Sequence, residues 1–262
     1  MDKIIGLGNA LIDVLATLKD DTLLDELELP KGSMQLIDDA KLQQINTKFS
    51  QMKTHLATGG SAGNAILGLA CLGAGTGFIG KVGNDHYGDF FRKNLQKNNI
   101  EDNLLTSEQL PSGVASTFIS QDGERTFGTY LGAAASLKAE DLTLEMFKGY
   151  AYLFIEGYLV QDHEMILHAI ELAKEAGLQI CLDMASYNIV ENDLEFFSLL
   201  INKYVDIVFA NEEEAKAFTG EEPEEALRVI AKKCSIAIVK VGANGSYTVS
   251  YTHLTLPTKR IV

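Results

Sequence analysis

The segment Gly59-Gly60-Ser61-Ala62-Gly63-Asn64 combines residue types suited to holding a small polar molecule against bare backbone. Adjacent glycines allow positive φ and close approach of a ligand to main-chain atoms. Ser61 and Asn64 then set side-chain donors and acceptors at the start of an apolar helix running through Ala65, Leu69 and Leu72 to Gly73. Upstream, residues 3–12 read as a first strand and turn that carry Asn9 and deliver Asp13. An ionised carboxylate has acceptors and no donors, so Asp13 suits two vicinal hydroxyls donating at once, in charge-assisted bonds stronger than neutral ones. A ligand-free glycine-rich βα turn and a surface turn Asp are the plainer alternatives.

Two near-matches weigh against other chemistries. Gly6-Leu7-Gly8 begins a dinucleotide fingerprint whose third glycine position holds Leu11. The run Gly75-Thr76-Gly77-Phe78-Ile79-Gly80-Lys81-Val82 falls one hydroxyl short of a P-loop, because Val82 stands where the Mg²⁺ ligand belongs. Its helix also starts too late, with Asp85 as the expected N-cap before His86, so 76–82 reads as a buried strand.

The elements that must position these groups alternate. Helical periodicity predicts helices over 38–50, 63–72, 87–98, 164–176, 194–202, 212–218 and 223–233. Short β-rich runs at 4–8, 76–82, 152–155, 179–182, 207–210 and 236–241 separate them. That rhythm implies βαβ units on a mostly parallel sheet flanked by helices, with ligands at the carboxyl ends of the strands. Residues 14–36 and 113–131 break it, being β-prone around turns with no helical face fit for the sheet.

A chain of 262 residues with 46% apolar residues can bury one sizeable core. Its net charge of −14 argues against nucleic acid and anionic membranes as partners, while permitting a locally positive ATP site. Cys71, Cys181 and Cys234 are odd in number and lie in apolar settings, which predicts reduced core thiols in a cytoplasmic protein. Residues 56–80 lack charge, yet their glycines, threonines, Ser61 and Asn64 make a poor membrane span. A signal peptide is not expected at Asp2 and the early strand.

Taken in order, these residues resemble the ribokinase-like (PfkB) family of sugar and nucleoside kinases. The pattern Gly-Gly-x-x-x-Asn-x-Ala…Leu-Gly matches its N-terminal signature, and Ser61 after the glycines is similar to the adenosine kinase branch. The resemblance implies a ribokinase-like α/β domain over residues 1–248, with 14–36 and 113–131 as strands of a small β lid closing over the substrate. It implies Asn9, Asp13, Leu36, Gly59, Gly60, Ser61 and Asn64 as substrate contacts, with Met34 and Leu36 covering a flat base. Asn211-Glu212-Glu213-Glu214 matches the family's Asn-x-x-Glu motif, so Asn211 and Glu214 would organise Mg²⁺ and phosphate, Glu214 through metal-bound water. The alternative is an ordinary N-cap followed by acids that favour a helix start. Lys240, Gly242 and Gly245 would form the ATP-contacting loop, Arg125 would point at the phosphates unless it is a solvated hairpin arginine, and Asp183 would join the metal network.

From about Val249 the chain departs from that pattern, and 249–262 reads as a tail not evolved with the rest, leaving the C-terminal part of the fold missing. A lineage-specific strand is the alternative. The family's Gly-Ala-Gly-Asp motif, which supplies the catalytic base, does not occur in these residues, so the chain as given is expected to be inactive. The implied function is ATP- and Mg²⁺-dependent phosphorylation of a nucleoside, adenosine to AMP, with a ribokinase- or fructokinase-type sugar kinase as second reading. A non-catalytic nucleoside-binding fragment and a nicotinamide-dependent oxidoreductase remain as alternatives of other classes.

Overall fold

The computed structural model describes residues 2–250 and the backbone of 253–258. In chain order the elements are β1 (Ile4–Leu7), β2 (Leu11–Thr17), α1 (Thr22–Glu26), β3 (Met34–Leu36), α2 (Asp39–Phe49), β4 (Thr54–Thr58), α3 (Ser61–Cys71), β5 (Thr76–Gly83) and α4 (His86–Lys97). There follow β6 (Ile100–Ser107), β7 (Gly113–Ile119), β8 (Arg125–Tyr130), β9 (Tyr152–Glu156), α5 (His163–Glu175), β10 (Gln179–Asp183), α6 (Tyr187–Asn192) and α7 (Leu194–Lys203). The last are β11 (Ile207–Asn211), α8 (Glu212–Thr219), α9 (Pro223–Ala231), β12 (Ile236–Lys240), β13 (Ser246–Ser250) and β14 (His253–Thr258). Every helix and strand expected from periodicity forms, with ends within two residues of expectation. The chain divides into two compact units, one of Met1–Gly8, Leu72–Gly77 and Lys138–Val262, the other of Asn9–Cys71 and Phe78–Leu137.

In the first unit the strands lie in the order β14-β13-β12-β11-β10-β9-β1, parallel from β12 to β1. Strands β13 and β14 add an antiparallel hairpin at the edge, pairing Val249 with Leu254. Residues 251–252 and 259–262 of the expected tail lie outside the described residues. Leu153, Ile155, Ile180, Leu182, Val208, Ala210, Ala237 and Val239 bury one face of the sheet, as period-2 alternation requires. The opposite face carries Phe154, Ile207, Phe209, Ile236 and Ile238, all half-buried, with the Phe154 and Phe209 rings 6.0 Å apart. Glu156, Asp183, Asn211 and Lys240 terminate β9, β10, β11 and β12, so all four stand at one end of neighbouring parallel strands.

The second unit holds a five-stranded sheet in the order β3-β8-β7-β2-β4. Helix α2 covers one face through Leu42, Ile45 and Phe49, the last 5.0 Å from the Phe118 ring. Gly128 leaves room for Ile45 there, since a Cβ would come within 3.1 Å of its Cδ1. Elsewhere in this unit, Asp85 caps α4 and does more. Its carboxylate accepts from Tyr87 N (3.0 Å), Gly88 N (2.9 Å), Ser112 N (2.8 Å) and Ser112 Oγ (2.7 Å), while Ser112 Oγ accepts from Gly83 N (2.9 Å). Strand β5 continues through Val82 to Gly83 before this cap, the opposite of a P-loop opening directly into a helix.

Three expectations need correction. The middle of 14–36 forms the short helix α1 around buried Leu24, where no helix was expected; a single turn is too short to display a helical period. Strands β4 and β6 and helix α6 were not anticipated, since β4 lies in a segment without alternation and β6 reads Ile-Glu-Asp-Asn-Leu-Leu-Thr-Ser, largely polar. Cys71 is exposed, unlike buried Cys181 and Cys234. Helix α3 buries Ala62 and Ile66, and five residues at about 100° each turn Cys71 well away from Ile66.

The Asp85 cluster should dominate local stability. Asp85→Ala is expected to cost about 3 kcal/mol, a lost cap plus unpaired Ser112 donors, against about 1 kcal/mol for Asp38→Ala, which removes only the α2 cap bond. Urea denaturation of the two variants checks this; equal midpoints would show that Asp85 is no more than a helix cap.

Candidate functional site

In the second unit, β4 runs on beside β2, and Gly59 N donates to Leu11 O at 2.8 Å. A side chain at Gly59 would overlap the Asp13 carboxylate. One at Gly60, where φ is +82°, would overlap the Asn9 carbonyl oxygen. Both glycines are thus required by close approach, and Gly60 also by its left-handed backbone. Asn64 N donates to Gly60 O (2.9 Å), closing the first turn of α3 and leaving Ser61 and Asn64 exposed beside buried Asn9. Burial pushes the Asp13 carboxyl above its ordinary range, and the Arg125 charge partly offsets it. Arg125 itself is exposed at the start of β8.

Strand register adds a feature beyond the motif. Ala57, Asp13, Ala115, Thr129 and Leu36 form one row across the sheet, on the face away from α2. Asp13 and Leu36 are three strand spacings apart, about 14 Å at ~4.8 Å per strand. The floor between them consists of the small residues Ala115 and Thr129, whereas Leu36 is 61% exposed and Met34 46%.

In the first unit, Asn211 and Glu214 form a reciprocal capping box at the start of α8. Asn211 N donates to Glu214 Oε2 (2.8 Å), Asn211 Nδ2 to Oε1 (2.7 Å), and Glu214 N to Asn211 Oδ1 (2.8 Å). Glu214 is only 2% exposed. Burial raises its proton affinity and Asp183 adds to that, while the Asn211 N–H bond and Lys240 work the other way. Asp183 Oδ2 accepts from Lys240 Nζ at 3.0 Å, and Asp183 Oδ1 from Ala185 N at 3.0 Å. The loop after β12 closes with Val241 N donating to Gly245 O (2.8 Å), with Gly242 and Gly245 at positive φ and open space around Gly242.

Sequence reasoning missed Glu156, buried and paired in register with Asp183. Its charge helps burial push the Tyr158 hydroxyl up, together with Glu214 and Asp183. Glu156 ends the run Tyr-Leu-Phe-Ile-Glu without any motif, so only strand register reveals it. Among the described residues no group of three or more His, Cys, Asp or Glu has the arrangement of a metal cage. Both Glu214 oxygens already accept hydrogen bonds, so this carboxylate suits Mg²⁺ held through water rather than directly. Nor is any helix among the described residues long and apolar enough to cross a membrane.

Comparison with known proteins gives a consistent result. The description "pfkB family carbohydrate kinase" matches residues 32–261, including most of the stretch after Val249. Guanosine-inosine kinase of Escherichia coli (strain K12) is 25% identical over 262 residues, covering 95% of this chain; the chain spans 60% of that relative's length. The adenosine kinase structure from Sinorhizobium meliloti is similar at 30% identity and a TM-score of 0.85, covering 100% of this chain and 80% of that one. A probable sugar kinase from Rhizobium etli CFN 42 superposes at 30% identity and a TM-score of 0.84, with 95% of this chain and 76% of that one covered.

Two outcomes follow from this geometry. Asn211→Ala and Glu214→Ala should each destabilise the chain by about 1 kcal/mol, and the double variant by clearly less than the sum, because one reciprocal box is lost in every case. Additive losses in a denaturation cycle would dissolve the box. Asp13, with its proton affinity raised by folding, contributes stability that is fully present below the ordinary Asp range and lost as pH rises through its higher folded value. Asp13→Asn should therefore flatten the stability profile just above the ordinary carboxylate range; an unchanged profile would mean Asp13 titrates normally.

Proposed function

The chain belongs to the pfkB family of carbohydrate kinases, and from that premise we propose that it serves an enzyme moving the γ-phosphoryl group of ATP onto a primary hydroxyl of a nucleoside, the 5′ hydroxyl of adenosine first among them. The observation that carries this reading is the row from Asp13 to Leu36. A ribose at Asp13 can donate two vicinal hydroxyls to one carboxylate, and a flat base then lies over Ala115 and Thr129 toward exposed Leu36 and Met34. A free monosaccharide satisfies Asp13 and leaves the apolar end of the row without a partner. The likeness to a guanosine-inosine kinase and an adenosine kinase supports a nucleoside. The likeness to a probable sugar kinase keeps a ribokinase- or fructokinase-type sugar as second reading.

In this proposal Gly59 and Gly60 admit the sugar close to backbone, with Ser61 and Asn64 as donors and acceptors on the first turn of α3. Arg125 lowers the cost of charge on Asp13 and offers a cation to phosphate. Asn211, Lys240, Gly242 and Gly245 hold the nucleotide, Lys240 exchanging its bond to Asp183 for phosphate oxygens. Glu214, with Asp183, orders water around a metal. ATP would supply the phosphoryl group and Mg²⁺ would neutralise charge on its phosphates. None of these residues is assigned as the base that takes the hydroxyl proton, so the 262-residue chain is proposed to bind nucleoside without turning it over. Three unpaired cysteines and the charge of −14 fit a cytoplasmic protein acting on small molecules.

Equilibrium binding is the direct test. Adenosine should raise the unfolding temperature of the chain where ribose and fructose do little, and Asp13→Asn should weaken nucleoside binding by about 2 kcal/mol because an amide donor would face hydroxyls that already donate. Equal stabilisation by ribose would transfer the proposal to the sugar reading, and unchanged affinity in Asp13→Asn would remove Asp13 from the site.

A further inference from the structure

We propose that the first unit carries a second ligand site, a basic cavity for a small molecule bearing an oligophosphate group, at the amino-terminal end of β10, β11 and β12. This concavity is open to solvent, has a volume of about 410 Å³, and is lined by Lys174, Lys203, Lys232 and Lys233 beside Tyr204 and Asp206. This inference is independent of the kinase reading. It concerns the end of the strands opposite to Asp183, Asn211 and Lys240.

The charges around this cavity are unbalanced in a chain that is acidic overall, at −14. Asp206 is its single acid, and its carboxylate is committed. Oδ2 accepts from Lys174 Nζ (2.6 Å) and from Ile180 N (2.7 Å). The Asp206 backbone accepts from Ser235 N (2.9 Å) and Ile236 N (3.0 Å) and donates to Ile180 O (2.9 Å), so this residue fastens the starts of three strands. Of the remaining lysines, Lys233 reaches the neutral Asn202 Oδ1, at 3.2 Å, and no carboxylate among the described residues. Neither Lys203 nor Lys232 makes an ion pair among the described residues, which leaves three cations uncompensated around one concavity. Helix dipoles account for part of this. Lys174 lies in the last turn of α5, Lys203 ends α7 and Lys232 caps α9, where cations are favoured. They account for one cation per helix end, not for Lys233 as well, nor for the concavity between the ends. Several ammonium groups spaced around one concavity can each meet a different oxygen, so the ligand that matches spreads its charge over several phosphoryl groups. Lysine, a flexible point charge with three donors, suits phosphate oxygens that arrive at several positions.

Calorimetric titration of the 262-residue chain with sodium tripolyphosphate tests the proposal. Saturable binding is expected, with Lys203→Glu/Lys232→Glu raising Kd by about tenfold or more. Lys148→Glu/Lys216→Glu makes the same change in net charge elsewhere on the unit and should have a much smaller effect. Three results overturn the proposal: no binding at millimolar tripolyphosphate, a loss in the cavity variant no larger than that in Lys148→Glu/Lys216→Glu, or sulfate binding as tightly as tripolyphosphate. Circular dichroism of each variant confirms that a loss reflects the site rather than unfolding.

Discussion

One steric constraint organises the second unit: the Asp13 carboxylate occupies the space that a side chain at Gly59 would take. Through this contact β2 and β4 pair closely enough for Gly59 N to reach Leu11 O, and the chain then turns through Gly60 in a conformation that an L side chain rarely adopts. The start of α3 follows directly. Thus the acid and the helix that flanks it are placed by the absence of two side chains, and the carboxylate is partly desolvated in the same step. Its proton affinity rises because it is packed against backbone, and Arg125 limits the rise.

A comparable economy operates in the first unit. Glu214 is buried at a helix start, where its charge opposes the α8 dipole favourably and its two oxygens take the otherwise unpaired donors of Asn211. Burial nevertheless raises its affinity for a proton, and Asp183 adds to that rise. Lys240 is held by Asp183 and sits close enough to Glu214 to lower its proton affinity. Removing Lys240 from Asp183 toward another anion would leave the Asp183 and Glu214 charges without the cation that offsets both, and in the proposed function a divalent cation would offset them. The capping function and a metal-organising function are therefore compatible on one side chain, since the first fixes the orientation that the second needs.

Much of this was legible in the residues. Alternating periodicity located the strands and helices of the parallel sheet because each is long enough to show its period, and Asp85 announced itself as a cap by standing just before an amphipathic run. Asp13, Gly59, Gly60, Asn211 and Glu214 belong to local motifs whose spacing is visible in one dimension. Glu156 and the Ala115–Thr129 floor were not legible, because their relation to Asp183 and Asp13 exists only across strand register. Cys71 was misplaced because Leu72 beside it, though apolar, is 85% exposed, so apolar neighbours there do not mark a buried setting. Helix α1 was missed because a single turn around Leu24 leaves no periodic trace.

The parallel order of β9 to β12 gives the first unit two chemically unlike ends. Helices that return antiparallel to parallel strands start at the strands' carboxyl ends, where unpaired N–H groups attract anions, and finish at the amino ends, where unpaired carbonyls repel them. In the proposed nucleotide site at the carboxyl ends, Asn211, the α8 start and the glycine loop after β12 join a single formal cation, Lys240. At the amino ends an anion must be held against the helix dipoles, and that requires formal charge. Lys174, Lys203, Lys232 and Lys233 provide it. Because Asp206 ties Lys174 to the starts of β10, β11 and β12, an anion that draws Lys174 away loosens the Asp206 carboxylate while leaving its backbone bonds intact. Any influence of that cavity on the far end would therefore run along strands whose backbone ladder stays paired.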